Sequence, residues 1–195
     1  MYDHFVANGY QELAANPQAY PVPVVVSELL SHNAVPQQEK TVLDLCCGPG
    51  NLKSYTHFAL YTGVDVSPDM LRAAAEAGYS QLIEGNALEY ARQLPNDSYD
   101  SVMCLSATYF MPPDQAKELV EHMQRIAREY WLATFDAIPP VEAEAYIKRR
   151  QIAMWNHSGI ALQGVVERRT EPGWISGETG KPVPIEYVLG SKTQA

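Results

Sequence analysis

Apolar residues at Tyr2, Phe5, Val6, Tyr10 and Leu13 recur at the spacing of one helix face, so the first fifteen residues read as an amphipathic helix weakened by Gly9. The proline-punctuated stretch from Pro17 to Pro23 ends it, Val24 to Leu30 predicts a second short helix, and a polar loop with Pro36 follows. From Thr41 onward the pattern changes to short apolar runs alternating with helical periodicity, the mark of βαβ units and a largely parallel sheet. Strands are predicted over Thr41–Leu45, Tyr61–Asp65, Ser80–Glu84, Tyr99–Leu105, Tyr130–Phe135, Ile160–Arg169 and Pro184–Leu189. Helices are predicted from Ser67-Pro68 to about Ala77, over Leu88–Gln93, over Pro113–Ala127 and over Val141–Met154. The last two strands are joined through a region containing Gly173, Gly177 and Gly180, so they can pair antiparallel at the sheet edge.

The whole reads as a Rossmann-like α/β three-layer sandwich: a seven-stranded, mostly parallel sheet with an antiparallel edge strand and an N-terminal helical lid. Residues 1–40 form the lid or appendage and residues 41–195 the main domain. Composition agrees, since 46% hydrophobic and 19% charged residues suit one packed core of 195 residues. Fourteen Lys plus Arg against 23 Asp plus Glu leave a net charge of −9, which repels phosphate backbones, and the pairs Arg149-Arg150 and Arg168-Arg169 are too short to offset it. No nucleic-acid partner is expected. The three cysteines, Cys46, Cys47 and Cys104, form neither a disulfide framework nor zinc spacing, and the five histidines stand singly, so no metal site is expected. A reducing cytoplasmic setting is the default, with no signal peptide, no membrane span and no membrane partner.

The informative stretch is Val42-Leu43-Asp44-Leu45-Cys46-Cys47-Gly48-Pro49-Gly50, an apolar strand ending in an acid and then a glycine-bearing turn. Glycine lets a ligand approach the backbone, and a helix start after the turn would offer free N–H groups. The dinucleotide fingerprint needs a third glycine, but counting from Gly48 and Gly50 that position is Lys53. Asp44 also sits badly beside a pyrophosphate and well beside an ammonium group. Asp65 ends the second strand 21 positions after Asp44, where a carboxylate can accept from two ribose hydroxyls. Gly85-Asn86-Ala87 follows the third strand, and Asp97-Ser98-Tyr99-Asp100-Ser101-Val102-Met103-Cys104-Leu105 leads into and along the fourth.

Taken in this order, the motifs resemble those of the class I S-adenosylmethionine-dependent methyltransferases over about residues 41 to 135. Asp44, Gly48 and Gly50 match the family's first motif, while Cys46 replaces its first glycine. The resemblance implies S-adenosyl-L-methionine as cofactor. Its amino-acid and ribose part would lie on the turn, its ribose hydroxyls on Asp65, and its adenine between Val66 and Met70 with Asn86 and Ala87 at its edge. Leu105 and, from the N-terminal segment, Tyr10 complete the implied cofactor contacts.

Methyl transfer from a sulfonium is an in-line displacement that needs alignment more than acid help, and a general base only where the acceptor starts protonated. The acceptor site is expected beyond the fourth and fifth strands, with Ser106, Thr108, Tyr109 and Phe110 on one side and Asp136 on the other. Tyr109, His157 and His4 are the candidates for orienting the acceptor or removing its proton. Leu105-Ser106-Ala107-Thr108-Tyr109-Phe110 lacks the Asp/Asn-Pro-Pro-Tyr motif of the amide- and base-directed relatives, so a small organic metabolite, methylated on O or N, is the expected acceptor. Two other readings stay open: a domain that binds the cofactor without transferring methyl, and an excised domain that acts on a carrier-tethered acceptor.

Overall fold

The computed structural model describes residues 21–150, 153–157 and 160–192. The predicted first helix, with Tyr10 and His4, lies outside them. In chain order the elements are α1 (Val22–His32), β1 (Thr41–Leu45), a 3-10 turn (Asn51–Ser54), β2 (Leu60–Asp65), α2 (Pro68–Glu76), β3 (Gln81–Glu84) and α3 (Ala87–Gln93). They continue with β4 (Tyr99–Cys104), a second 3-10 turn (Thr108–Phe110), α4 (Pro113–Ile126), β5 (Ala127–Asp136), α5 (Pro140–Arg150), β6 (Val165–Ile175) and β7 (Pro182–Ser191).

The sheet order is β3-β2-β1-β4-β5-β7-β6. β1 to β5 run parallel, and β7 pairs antiparallel with both β5 and β6. The antiparallel strand therefore lies one place in from the rim, and β6 forms the edge. That order reverses beside β1, where β2 lies on one side and β4 on the other. The reversal opens the crevice in which doubly wound sheets bind ligands.

Alternation along the strands assigns side chains to the two faces. Val42, Tyr61, Met103, Leu132, Ile185, Tyr187 and Leu189 share one buried cluster with Val22, Val25, Val26, Leu29 and Leu30 of α1. Leu43, Leu45, Val64, Val102, Cys104, Trp131, Ala133 and Phe135 share the other with α3 and α4. The described part of the predicted appendage is thus a helix built into the core, begun by Pro21 with Pro23 in its first turn, where an N–H has no helical partner to lose.

Three expectations need adjusting. No α-helix follows the glycine-bearing turn: the crossover from β1 to β2 contains a single 3-10 turn, and the helix start expected there does not form. The sixth strand was expected at Ile160–Arg169 and runs over Val165–Ile175, beginning after Gly164 at φ 63. Its pairing shifts between Pro172 and Ile175, which an edge strand tolerates because Pro172 there forfeits no central ladder bond. β5 begins at Ala127, directly where α4 ends, with no loop between them. No helix among the described residues is long and apolar enough to cross a membrane.

Candidate functional site

The turn after β1 is held in a shape that most residues resist. Cys46, Gly48 and Gly50 have φ of 61, 52 and 82. Glycine adopts these angles freely, whereas Cys46 carries a left-handed conformation at an order of 1–3 kcal/mol. The backbone offsets part of that, since Cys47 N–H donates to Val64 O at 3.0 Å and Gly50 N–H to Cys47 O at 3.1 Å. A Cβ on Gly48 would meet nothing within 4 Å, so the backbone there borders open space into which a ligand can come close.

Asp65, at the tip of β2, ties the turn to the next helix. Its Oδ2 accepts Gly48 N–H at 2.9 Å and its Oδ1 accepts Ser67 N–H at 3.0 Å. Each oxygen keeps a second lone pair. Ser67 caps α2 by accepting Met70 N–H, as its position before Pro68 predicts. Val66 beside it is 51% exposed, a large apolar side chain left open at the rim, whereas Met70 is packed inward at 5%.

Asp44 sits differently. It is buried on the α1 face and accepts a hydrogen bond from the Tyr79 hydroxyl at 2.5 Å. Burial, opposed in part by that bond and reinforced by the charge of Asp65, pushes its carboxyl up to about 7. The Tyr79 ring fills the space beneath the turn, and a Cβ on Gly50 or on Gly63 would come within 2.8 Å of it. Tyr79 was not singled out in the sequence; its only local signal is Gly78 before it, whose φ of 91 turns the chain from α2 into β3.

Asn86 caps α3 through Oδ1, which accepts Leu88 N–H at 2.9 Å and Glu89 N–H at 3.1 Å. Both lone pairs of that oxygen are thereby used, so the acceptor expected for an adenine amine is taken and only the amide NH2 is left to face a ligand. Ala87 is buried behind it. The two cysteines of the turn are packed thiols. Burial raises Cys47, a bond to Cys104 with burial raises Cys46, and the nearby carboxylates raise both further.

Beyond β4 the chain is braced to β5 and to the segment after α5. Leu105 is half-buried against the α1-face cluster, and Ser106, at φ 54, donates its N–H to Thr134 Oγ1 at 2.6 Å. The Thr108 hydroxyl donates to Thr134 O at 2.7 Å and is fully buried. His157 is buried, with Nε2 on the carbonyls of Thr108 at 3.0 Å and Met111 at 2.9 Å. Those contacts require the Nε2–H tautomer, and burial lowers the ring's pKa, so a neutral imidazole braces the 3-10 turn. Tyr109 stacks near Phe110, with ring centroids 4.4 Å apart, in a small cluster with Tyr146 and Trp174. Asp136, at the end of β5, is 1% exposed and takes Trp174 Nε1–H on Oδ2 at 2.9 Å. Among the described residues no His/Cys/Asp/Glu group could hold a metal ion.

Residues 42–129 match the family model described as a methyltransferase domain. An uncharacterized methyltransferase of Schizosaccharomyces pombe is 28% identical over 131 residues, which are 65% of this chain and 48% of that protein. The chain thus spans about half the length of this curated relative. Magnesium protoporphyrin IX methyltransferase from Synechocystis, solved with S-adenosylhomocysteine bound, has a TM-score of 0.61 at 18% identity over 88% of this chain and 83% of its own. A methyltransferase from Thermotoga maritima has a TM-score of 0.63 at 16% identity over 98% of each chain. One from Archaeoglobus fulgidus has 0.61 at 16% identity over 87% of this chain and 94% of its own. These structural likenesses concern the fold. The methyltransferase-domain match thus runs from β1 to the start of β5, the stretch that carries the motifs at the tips of β1, β2 and β3, and the fold is one that these methyltransferases share.

Proposed function

We propose that the chain transfers the methyl group of S-adenosylmethionine to an oxygen or nitrogen of a small organic metabolite. The observation that carries this reading is Asp65, whose two oxygens are aligned by Gly48 N–H and Ser67 N–H beside backbone open to a ligand. A carboxylate aligned in this way suits a pair of ribose hydroxyls. Exposed Val66 suits one face of an adenine, with Met70 packed behind it, and the Asn86 amide suits a ring nitrogen at the adenine edge. Asp44 and Leu105, on the α1 face of neighbouring strands, border the place for the amino-acid part; Cys46 and Gly50 shape the turn above it.

When bound, S-adenosylmethionine supplies an electrophilic methyl on a sulfonium that departs as a neutral thioether. The chain's own residues then orient the acceptor and exclude water, and orientation alone is worth about 7–11 kcal/mol. Tyr109, among the half-buried aromatics beyond β4, suits the acceptor side. His157 serves that side as a brace, since its Nε2 is engaged on two carbonyls. A small acceptor fits the acidic chain, and the protoporphyrin methyltransferase among the structural neighbours is named for a small-molecule acceptor. The test is incubation of the full chain with S-adenosylmethionine and a panel of amines, phenols and alcohols, followed by assay of S-adenosylhomocysteine. Formation of S-adenosylhomocysteine dependent on one acceptor class supports the reading; absence of both turnover and cofactor binding overturns it.

A further inference from the structure

Three buried polar atoms among the described residues have no hydrogen-bond partner: Asp136 Oδ1, Tyr187 Oη and His157 Nδ1. All belong to the half of the molecule beyond β4. Asp136 and Tyr187 face the same side of the sheet as Asp44, because Leu132 and Ile185, in step with them along β5 and β7, belong to the α1-face cluster. Asp136 ends β5, two strands from β1 and four residues beyond Leu132, which is in register with Asp44 through Met103, so it lies about 16 Å from Asp44 along the same face.

A carboxyl group at 1% exposure with one neutral donor, the Trp174 indole, is poorly compensated. No lysine or arginine among the described residues offsets it, and burial pushes it up to about 7. Trp174 packs against both the α1-face cluster and the cluster of Ile138, Met154 and Val183, where half-buried Tyr109, Phe110 and Tyr146 also lie. The carboxyl with a spare oxygen therefore sits at the edge of a group of aromatic rings. Aromatic faces and a lone carboxylate both favour a cation, and both disfavour a carboxylate or phosphate.

We infer that Asp136, bonded to Trp174 at the border of the cluster that holds Tyr109, Phe110 and Tyr146, receives a cationic amine as methyl acceptor and takes its proton on Oδ1. This rests on the methyltransferase reading and narrows it from oxygen or nitrogen to nitrogen. The ammonium gives one proton to the Asp136 carboxylate, which becomes the neutral acid. The freed lone pair forms the N–CH3 bond as the CH3–S bond breaks, the bonding pair passes to sulfur, and the nitrogen ends as a methylated ammonium. An alcohol in the same place supplies a hydrogen bond but no charge to match.

The experiment uses the full chain saturated with S-adenosylhomocysteine and compares binding of 2-phenylethylamine with that of 2-phenylethanol by calorimetry. The amine is expected to bind at least about tenfold tighter than the alcohol. Asp136→Asn keeps an acceptor for Trp174 and is expected to abolish that preference, while affinity for S-adenosylhomocysteine stays within about twofold and the near-ultraviolet circular dichroism is unchanged. With S-adenosylmethionine, the wild type is expected to convert the amine and leave the alcohol. Equal binding of amine and alcohol, a preference that survives Asp136→Asn, or no amine binding to a chain that holds S-adenosylhomocysteine overturns the inference and leaves the methyltransferase reading standing. A chain that does not bind S-adenosylhomocysteine overturns both.

Discussion

The two sides of the sheet's carboxyl edge handle their polar groups in opposite ways. Around β1, β2 and β3 the backbone and side chains complete one another: Asp65 takes two N–H groups, Asp44 takes a tyrosine hydroxyl, and Asn86 Oδ1 takes two more N–H groups. Around β5 and β7, Asp136 and Tyr187 keep buried atoms with no partner at all. The first region is preorganised and presents fixed acceptors to a ligand, so binding there has little ordering to do. The second carries an unmet electrostatic demand that a ligand can meet. A shared cofactor site and a particular acceptor site would be expected to differ in this way.

The largest expected effect comes from the first region. Asp65→Ala removes the acceptor of Gly48 N–H and Ser67 N–H together with the proposed ribose ligand, and is expected to weaken S-adenosylhomocysteine binding about 100-fold or more by calorimetry. Wild-type affinity in that variant would sink the contrast.

The next effect is on stability against pH and involves both regions. Burial raises Asp44 and Asp136 each to about 7, well above the ordinary aspartate range, so the folded chain holds protons that the unfolded chain has released. The contribution of these two groups to stability without ligand is therefore expected to be fully present below about pH 4, to fall as the pH rises towards 7, and to level off above that, by a few kcal/mol for each group. Asp44→Asn and Asp136→Asn should each flatten the slope in denaturant titrations; an unchanged slope in both would show that neither carboxyl is held protonated.

Tyr79→Phe is expected to cost about 1–3 kcal/mol, because it leaves the buried Asp44 carboxyl without its donor, and to loosen the turn above it. Thermal unfolding reads the first and S-adenosylhomocysteine affinity the second. Tyr187→Phe is the matching change in the other region and should be near neutral or slightly stabilising, since the hydroxyl it removes has no partner. A loss as large as that from Tyr79→Phe would mean that Tyr187 is engaged after all.

Local pattern made most of the frame legible. The run Val42–Leu45, the acid-and-glycine spacing through Gly50, and Ser67-Pro68 are short-range signals, and the strand, turn and helix start they predict are present. What local pattern could not supply is long-range. Tyr79 reaches Asp44 across 35 positions, Trp174 reaches Asp136 across 38, and Thr134 holds Ser106 across 28, and no spacing in the sequence records such pairings. Asn86 shows a different limit: its residue type suits a helix cap and a ligand contact equally, and only geometry reveals that Oδ1 serves the cap. β6 runs past Arg169 although Gly173 reads as part of the turn to the last strand, because pairing with β7 carries the edge strand through Pro172 and Gly173.

The most direct measurement is a crystal structure of the full chain with S-adenosylhomocysteine. Both ribose hydroxyls are expected on Asp65, with the backbone of Gly48 against the nucleoside and the sulfur turned towards β4 and β5. A nucleoside bound elsewhere, or one that leaves Asp65 untouched, would contradict it.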